Sequence, residues 1–247
     1  MFESYRRRHP GKPLFGMVVY EIGRATACFV LRLFFAHRWV RSANVPRTGP
    51  VLIVANHQSY LDPPAIGVGI TGRHTDFIAR SGLFKHEWFG TLIGLLNSIP
   101  IKEEGGDTAA MKEALRRLGM GRAVLIFPEG SRSEDGCVGP FKRGIAVLVK
   151  RARCPIVPVG IDGAFDAWPR GKRPKPFYGR TAVVFGTPID SEEVLANGAD
   201  EGLERLRQEV DRLRLEARAM LRRESRGSYP PAGPQDEACR PVAPGEA

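Results

Sequence analysis

A histidine and a carboxylate lie five residues apart, at His57 and Asp62, directly after the apolar run 51–55. Side chains at this spacing do not face each other on a continuous helix, so they can meet only across a turn. Asp62 precedes Pro63, which predicts a helix with Asp62 as its N-cap. A carboxylate bonded to one imidazole nitrogen makes the other a better base. The pair therefore suggests a general base, although a plain cap and a loop histidine would share the spacing.

A second polar segment follows the apolar run 123–127 and contains Glu129, Gly130 and Arg132. The guanidinium of arginine is permanently charged and can bind a phosphate through two hydrogen bonds, and a glycine lets a ligand approach the backbone closely. Lys142 lies just before an apolar helix whose first amides could add to an anion site. The alternative is that Glu129 and Arg132 pair with each other and only shape a turn.

Alternation of apolar runs with helical patterns predicts an α/β fold. We expect a single sandwich-like domain with a central, largely parallel or mixed sheet flanked by helices. Strands are predicted at 51–55, 76–80, 98–101, 123–127, 156–161 and 181–186, and helices at 63–69, 84–96, 107–118 and 144–152. Because parallel strands present their carboxyl ends at one edge, the two polar segments should meet there. The loop 165–178, rich in Pro, Gly, Lys and Arg, is predicted to be exposed.

Three regions are expected along the chain: residues 1–45, 46–223 and 224–247. The first is a basic lead followed by an apolar helix at about 14–35, which carries Glu21, Arg24 and Arg32. These charges favour a helix lying in the membrane interface over one spanning it, with packing on the domain as the alternative. The second is the main domain, which ends in an amphipathic helix. This helix is expected to cover the domain, and the alternatives are a short coiled coil or a helix that lies on a membrane. The third is rich in Gly, Ser, Pro and charge, which predicts disorder.

A net charge of +10 over 247 residues indicates an anionic partner. A nucleic acid is disfavoured, because basic residues are not interleaved with aromatics and no known binding module is recognisable. The four cysteines lack paired spacing, which argues against a metal knuckle or a disulfide framework. A hydrolase is also disfavoured, since no serine or cysteine stands in a nucleophile setting.

Taken together, the motifs resemble those of the glycerolipid acyltransferases, specifically the 1-acylglycerol-3-phosphate (lysophosphatidic acid) acyltransferases. The Asn-His-x4-Asp block corresponds to residues 56–62, and the Phe-Pro-Glu-Gly-x-Arg-Ser block to residues 127–133. The Lys-x-Gly sequence corresponds to residues 142–144, and the apolar Val-Pro-Val block to residues 156–159. The likeness in order and spacing covers about residues 49–189.

The resemblance implies transfer of a fatty acyl group from acyl-CoA or acyl carrier protein to the sn-2 hydroxyl of 1-acyl-sn-glycerol 3-phosphate, giving phosphatidic acid. It implies His57 as base and Asp62 as its orienting partner. It also implies that Pro158 shapes a pocket and that the residues that bind the acceptor are Glu129, Gly130, Arg132, Lys102, Lys142 and Pro158. No cofactor or metal is expected beyond the donor. The protein should act in phospholipid biosynthesis on the cytoplasmic face of an anionic membrane, as a peripheral or monotopic protein; the oligomeric state stays open.

One block departs from the family pattern. Residues 99–101 match Ile-Pro-Ile, but Lys102 and Glu103 follow where the family has a variable residue and then arginine. Lys102, Arg80 or Lys142 could replace that arginine, or the acceptor could carry a different head group. The alternative acceptors are a lyso-ornithine lipid or another lysophospholipid.

Overall fold

The computed structural model describes residue 11 and residues 14–80, 98–101, 106–171 and 179–239. Within this part of the chain, seven strands form one sheet. They are β1 (Arg38–Val40), β2 (Val51–Ala55), β3 (Thr75–Arg80), β4 (Ser98–Ile101), β5 (Ala123–Ile126), β6 (Ile156–Asp162) and β7 (Ala182–Phe185). Their order is β1-β7-β6-β2-β5-β3-β4. All neighbouring strands are parallel except β6 and β7, which are antiparallel. The sheet is therefore mixed, which is one of the two predicted forms, largely parallel or mixed.

The helices flank this sheet and confirm the α/β prediction. They are α1 (Leu14–Phe35), α2 (Asp62–Gly69), α3 (Gly106–Gly119), α4 (Gly144–Ala152), α5 (Ala164–Ala167), α6 (Ser191–Val194) and α7 (Ala199–Glu224). The helix predicted at 84–96 lies outside the described residues. Strand β1 was not predicted, because three residues at a sheet edge are too few to show a period.

The core has two layers, one on each face of the sheet. Along β2, Val51, Ile53 and Ala55 face α2, whereas Leu52 and Val54 face the side covered by α4 and α7. All five residues of β2 are completely buried. A continuous apolar run is what a strand covered on both faces requires.

The predicted disorder of residues 224–247 is wrong for the part that the structure describes. Residues 225–239, here called the C-terminal strap, run back along α7. The guanidinium of Arg214 donates to the carbonyl of Gln235 at 2.7 Å, and that of Arg218 donates to Asp236 at 2.6 Å. The hydroxyl of Tyr229 donates to the carbonyl of Gly163 at 2.9 Å. Buried arginines on the neighbouring helix hold this segment, and its own composition cannot reveal them. Residues 240–247 lie outside the described part.

Helix α1 packs on α2 through one side and leaves a long apolar side uncovered. Its buried residues are Met17, Tyr20 and Leu31. By length and hydropathy it could cross a membrane, but the core helix of a soluble protein and a signal sequence meet the same criteria. Glu21 pairs with Arg24 at 2.8 Å, and His74 of the domain lies 3.3 Å from the same carboxylate. Two of the helix's charges are therefore held at the domain side.

Candidate active site

Three adjacent parallel strands, β6, β2 and β5, end at the same edge of the sheet. The segment 56–62 follows β2, the segment 127–133 follows β5, and the segment 163–168 follows β6. The backbone N–H of Ser133 donates to the carbonyl of His57 at 2.7 Å, which brings the first two segments into contact. The two motifs that the sequence placed at one edge do meet there.

The imidazole and the carboxylate of the first segment are hydrogen bonded. Nδ1 of His57 lies 2.7 Å from Oδ2 of Asp62. The same oxygen accepts the backbone N–H groups of Gln58 and Ser59, at 2.5 and 2.7 Å. Three donors converging on a fully buried carboxylate fix both its position and the orientation of the ring.

Asp62 differs in one respect from the prediction. Helix α2 begins at Asp62 itself, with Leu61 at the N-cap and no side-chain cap bond. The carboxylate does not bond forward to amides of its own helix, because it bonds backward to the turn that carries His57. This backward turn brings together two side chains that a continuous helix would separate.

Asn56 was not among the predicted site residues, yet it fixes the start of the segment. Its side-chain Nδ2 donates to the carbonyl of Ile161 at 3.0 Å, and its Oδ1 accepts the N–H of Ile161 at 2.9 Å. The amide thus continues the β2–β6 ladder by one position and sets the level at which His57 leaves the sheet. An amide directly after a buried strand was the signal for this role.

Glu129 ties the second segment to the first. Its Oε1 accepts the backbone N–H of His57 at 2.7 Å, and its Oε2 accepts the N–H of Gly139 at 2.9 Å. Burial raises the pKa of Glu129 to about 8, although these two amide bonds favour the ionised form. The alternative of a Glu129–Arg132 pair loses its support, because both carboxylate oxygens have other partners. The geometry makes Glu129 a residue that positions His57.

Two aromatic contacts complete the surroundings of the pair. The ring of Phe127, at the end of β5, stacks on the His57 imidazole with 4.1 Å between ring centroids. The guanidinium carbon of Arg132 lies 3.6 Å from the centre of the Tyr60 ring. The Nη1 atom of Arg132 is buried and lacks a hydrogen-bond partner among the described residues. A buried cationic donor of this kind suits an anionic ligand.

Lys142, a predicted binding residue, contacts the second segment. Its backbone N–H donates to the carbonyl of Pro128 at 3.0 Å, and its side chain lies against Gly130. Gly130 has φ +72°, and a Cβ there would collide with the Lys142 side chain. The positive φ therefore favours glycine here, whereas a Cβ would displace only the flexible end of the Lys142 side chain.

One predicted binding residue, Pro158, lies away from this edge of the sheet, and another lies outside the described residues. Pro158 lies within β6, opposite Val54, and its ring lies beside Gly186. It is buried in the core, and its role in shaping a pocket stays a prediction. Lys102 lies outside the described residues, as do Glu103 and the Arg80 side chain.

The first part of the 165–178 loop is not simply exposed. The hydroxyl of Ser59 donates to the carbonyl of Trp168 at 2.8 Å, and the Trp168 ring meets Tyr60 edge-on, 5.5 Å between centroids. Arg170 is exposed and contacts Glu134 at 3.2 Å. Residues 163–168 thus form a third wall of the site, and residues 172–178 lie outside the described part.

A buried ionic network supports the site from the α7 side. The side chain of Gln58 donates to Oδ1 of Asp162 at 3.1 Å and to the carbonyl of Gly136 at 2.8 Å. Arg218 of α7 donates to Oδ2 of Asp162 at 3.0 Å. The residue next to His57 is therefore linked through Asp162 to a helix and to the C-terminal strap.

This arrangement offers an oriented imidazole in one segment and a guanidinium in the segment that contacts it. Such a pair can take a proton from a substrate that also carries a negative charge. In the described ranges, no group of three or more His, Cys, Asp or Glu side chains is arranged to hold a metal ion.

Comparison with known proteins gives matches of both sequence and fold. The family model described as Acyltransferase matches residues 38–162. A chloroplastic 1-acyl-sn-glycerol-3-phosphate acyltransferase from Brassica napus is 30% identical over 192 residues, covering 76% of this chain and 53% of that protein. A 1-acyl-sn-glycerol-3-phosphate acyltransferase from Bacillus subtilis is 25% identical over 146 residues, covering 59% of this chain and 70% of that protein. The chain spans about half the length of the plant relatives that it matches.

A solved structure has the same fold. The crystal structure of the 1-acyl-sn-glycerophosphate acyltransferase from Thermotoga maritima superimposes with a TM-score of 0.63 and 26% identity. The match covers 83% of this chain and 79% of the other. It includes a mixed α/β domain with an apolar N-terminal helix.

Proposed function

Because the chain belongs to the acyltransferase family, we propose that it transfers a fatty acyl group from a thioester donor to the sn-2 hydroxyl of 1-acyl-sn-glycerol 3-phosphate, giving phosphatidic acid. The observation that carries this proposal is the 2.7 Å bond between His57 Nδ1 and Asp62 Oδ2, in a segment that also contacts the segment of Arg132. The names of the matched relatives support the choice of acceptor.

In the proposed reaction, His57 is the general base. Its Nδ1–H donates to Asp62, which leaves Nε2 as the basic nitrogen. Nε2 takes the proton of the acceptor hydroxyl while that oxygen forms a bond to the thioester carbonyl carbon. The carbon–sulfur bond then breaks, and the imidazolium returns the proton to the leaving thiolate. The products are an ester and a free thiol, and no acyl-enzyme forms.

Arg132 is the principal contact for the acceptor phosphate in this proposal. Its Nη1 atom is buried, and a phosphate oxygen would supply the partner that the described residues do not. Lys142 and the backbone of Gly130 lie together and would extend the same anion site. Lys102 is retained as an assisting cation on the basis of the family likeness alone. Glu129 acts instead by positioning His57.

The donor is acyl-CoA or acyl carrier protein, and no separate cofactor is required. Both are thioesters, and the chemistry at the imidazole is the same for either. Holding the hydroxyl and the thioester together in reacting geometry supplies much of the rate, because it converts a bimolecular encounter into a positioned one.

We further propose that α1 lies in the surface of an anionic membrane on its cytoplasmic face. Leu14, Phe15, Ile22, Phe29 and Leu33 on this helix are exposed, and burying them in the headgroup boundary would be favourable. The net charge of +10 supports attraction to anionic lipid. Lysophosphatidic acid and its product reside in that membrane.

The test offers the purified full chain a long-chain acyl-CoA or acyl carrier protein together with one of several acceptors. These are lysophosphatidic acid, lysophosphatidylglycerol and a lyso-ornithine lipid. Release of free thiol and formation of acylated lipid are measured together. The proposal predicts the highest kcat/KM with lysophosphatidic acid. Preference for an acceptor that lacks the phosphomonoester would overturn the substrate and leave the acyl transfer standing.

A further inference from the structure

We infer that Tyr60 is a positioning residue that holds the Arg132 guanidinium in place for the phosphate of the acceptor. This inference rests on the proposed function, and it assigns a role to one of the four variable positions between His57 and Asp62. The contact that carries it is the 3.6 Å separation between the guanidinium carbon of Arg132 and the Tyr60 ring centre.

The geometry of the contact preserves the binding capacity of the arginine. A guanidinium is planar, and its five N–H donors lie in the plane. An aromatic ring that covers one face restrains the group without using any donor. The Nη1 atom of Arg132 is buried and has no partner among the described residues, so a donor is held ready at a fixed position.

A carboxylate partner could not do this, because it would occupy the donors and compete with the phosphate. The three acidic side chains within three residues of Arg132 in sequence are all engaged elsewhere. Oδ1 of Asp135 accepts the hydroxyl of Ser133 at 3.0 Å and the backbone N–H of Cys137 at 2.9 Å. Glu129 accepts the N–H groups of His57 and Gly139. Glu134 contacts the exposed Arg170 at 3.2 Å. The restraint on Arg132 is therefore aromatic, and its positive charge stays available to a ligand.

Tyr60 is itself supported from the third wall of the site. Trp168 meets its ring edge-on with an interplanar angle of 64°. The hydroxyl of Ser59 holds the Trp168 carbonyl, so the support is anchored to the same turn. Nevertheless, Tyr60 is 44% exposed and does not belong to the core. Its replacement should leave the fold intact, which makes the inference testable.

The variants Tyr60→Leu and Tyr60→Phe separate the proposed role from a general loss of contact. Leucine keeps apolar bulk and removes the π face, whereas phenylalanine keeps the face and removes the hydroxyl. With lysophosphatidic acid as acceptor, Tyr60→Leu should raise the acceptor KM about fivefold, which corresponds to about 1 kcal/mol. The kcat and the donor KM should change less than about twofold. Tyr60→Phe should match the unsubstituted protein.

The assay measures both KM values by thiol release from the full chain, and thermal unfolding is followed alongside. The inference is overturned if Tyr60→Leu leaves the acceptor KM unchanged, if it affects donor and acceptor equally, or if Tyr60→Phe is as damaging. The unsubstituted protein reports separately on the proposed function. If it fails to acylate lysophosphatidic acid, the function is wrong; if it succeeds and the two variants behave alike, only the role of Tyr60 is wrong.

Discussion

The two bonds of Glu129 make the sharpest quantitative prediction. Replacing Glu129 with alanine removes the acceptor for the N–H of His57 and the acceptor for the N–H of Gly139. An unsatisfied buried donor costs about 1–3 kcal/mol. Because the site is partly open to water, which can replace some of the lost bonding, we expect a loss of about 2–4 kcal/mol in the free energy of unfolding.

The same substitution should lower kcat by about a hundredfold, since a displacement of about 1 Å at a reacting group has that effect. Stability is measured by urea titration followed by circular dichroism, and kcat by thiol release at saturating acceptor. The matched control is Glu134→Ala in the same loop, where the carboxylate is exposed and a change below about 0.5 kcal/mol is expected. If Glu129→Ala keeps its stability and kcat and raises only the acceptor KM, Glu129 binds the head group directly and the positioning argument is refuted.

The raised pKa of Glu129 adds a pH dependence with a definite sign. The ordinary pKa of a glutamate is 4.5, and that of Glu129 in the folded chain is about 8. At a pH between these two values, the Glu129 carboxyl has lost its proton in the unfolded chain and keeps it in the folded chain. The contribution to stability is complete below the first value and declines as pH rises through the second. The free energy of unfolding of the unsubstituted chain, relative to Glu129→Gln, should therefore fall across this window. An increase would contradict the burial that raises the pKa.

Three further outcomes are expected. Asp62→Asn should lower kcat roughly a thousandfold with little effect on the donor KM, because the amide no longer holds the His57 tautomer; a loss below tenfold would contradict this. Arg218→Met should reduce the free energy of unfolding by about 3 kcal/mol, because it removes the closer of the two ion pairs of the buried Asp162. Arg212→Met on the exposed side of α7 should change it by less than about 0.5 kcal/mol. Equal effects would count against the buried network. Phe29→Asp should weaken sedimentation with anionic liposomes without altering thermal unfolding, since Phe29 is 67% exposed; unchanged sedimentation would argue against docking through α1.

Local patterns were sufficient for most of the fold. Strand β2 has the predicted bounds, because a run of five apolar residues that ends in a polar turn is typical of a short buried strand. The mixed character of the sheet depends on the direction of β7, and the sequence left open whether the sheet was mixed. The C-terminal strap was mispredicted for a similar reason, since the guanidinium of Arg214 that holds it belongs to another element.

The candidate site, like the fold, could be predicted from the sequence only in part. His57, Asp62 and Arg132 were predicted from residue type and spacing, because oriented bases and anion-binding groups use few kinds of side chain. The structure brings His57 and Asp62 into contact, and their roles stay predictions. The role of Glu129 was not found, since its partners are backbone amides that any residue could supply. The role of Tyr60 was not predicted either, because a guanidinium stacked on an aromatic ring does not require a particular spacing in the sequence.

The most direct test of the account is the rate of acyl transfer by His57→Ala under single-turnover conditions with lysophosphatidic acid and acyl-CoA. We expect a loss of roughly a thousandfold or more, because the general base is removed, while the circular dichroism spectrum and liposome binding stay unchanged. A folded, membrane-binding His57→Ala protein that transfers acyl groups within tenfold of the unsubstituted rate would contradict the central claim.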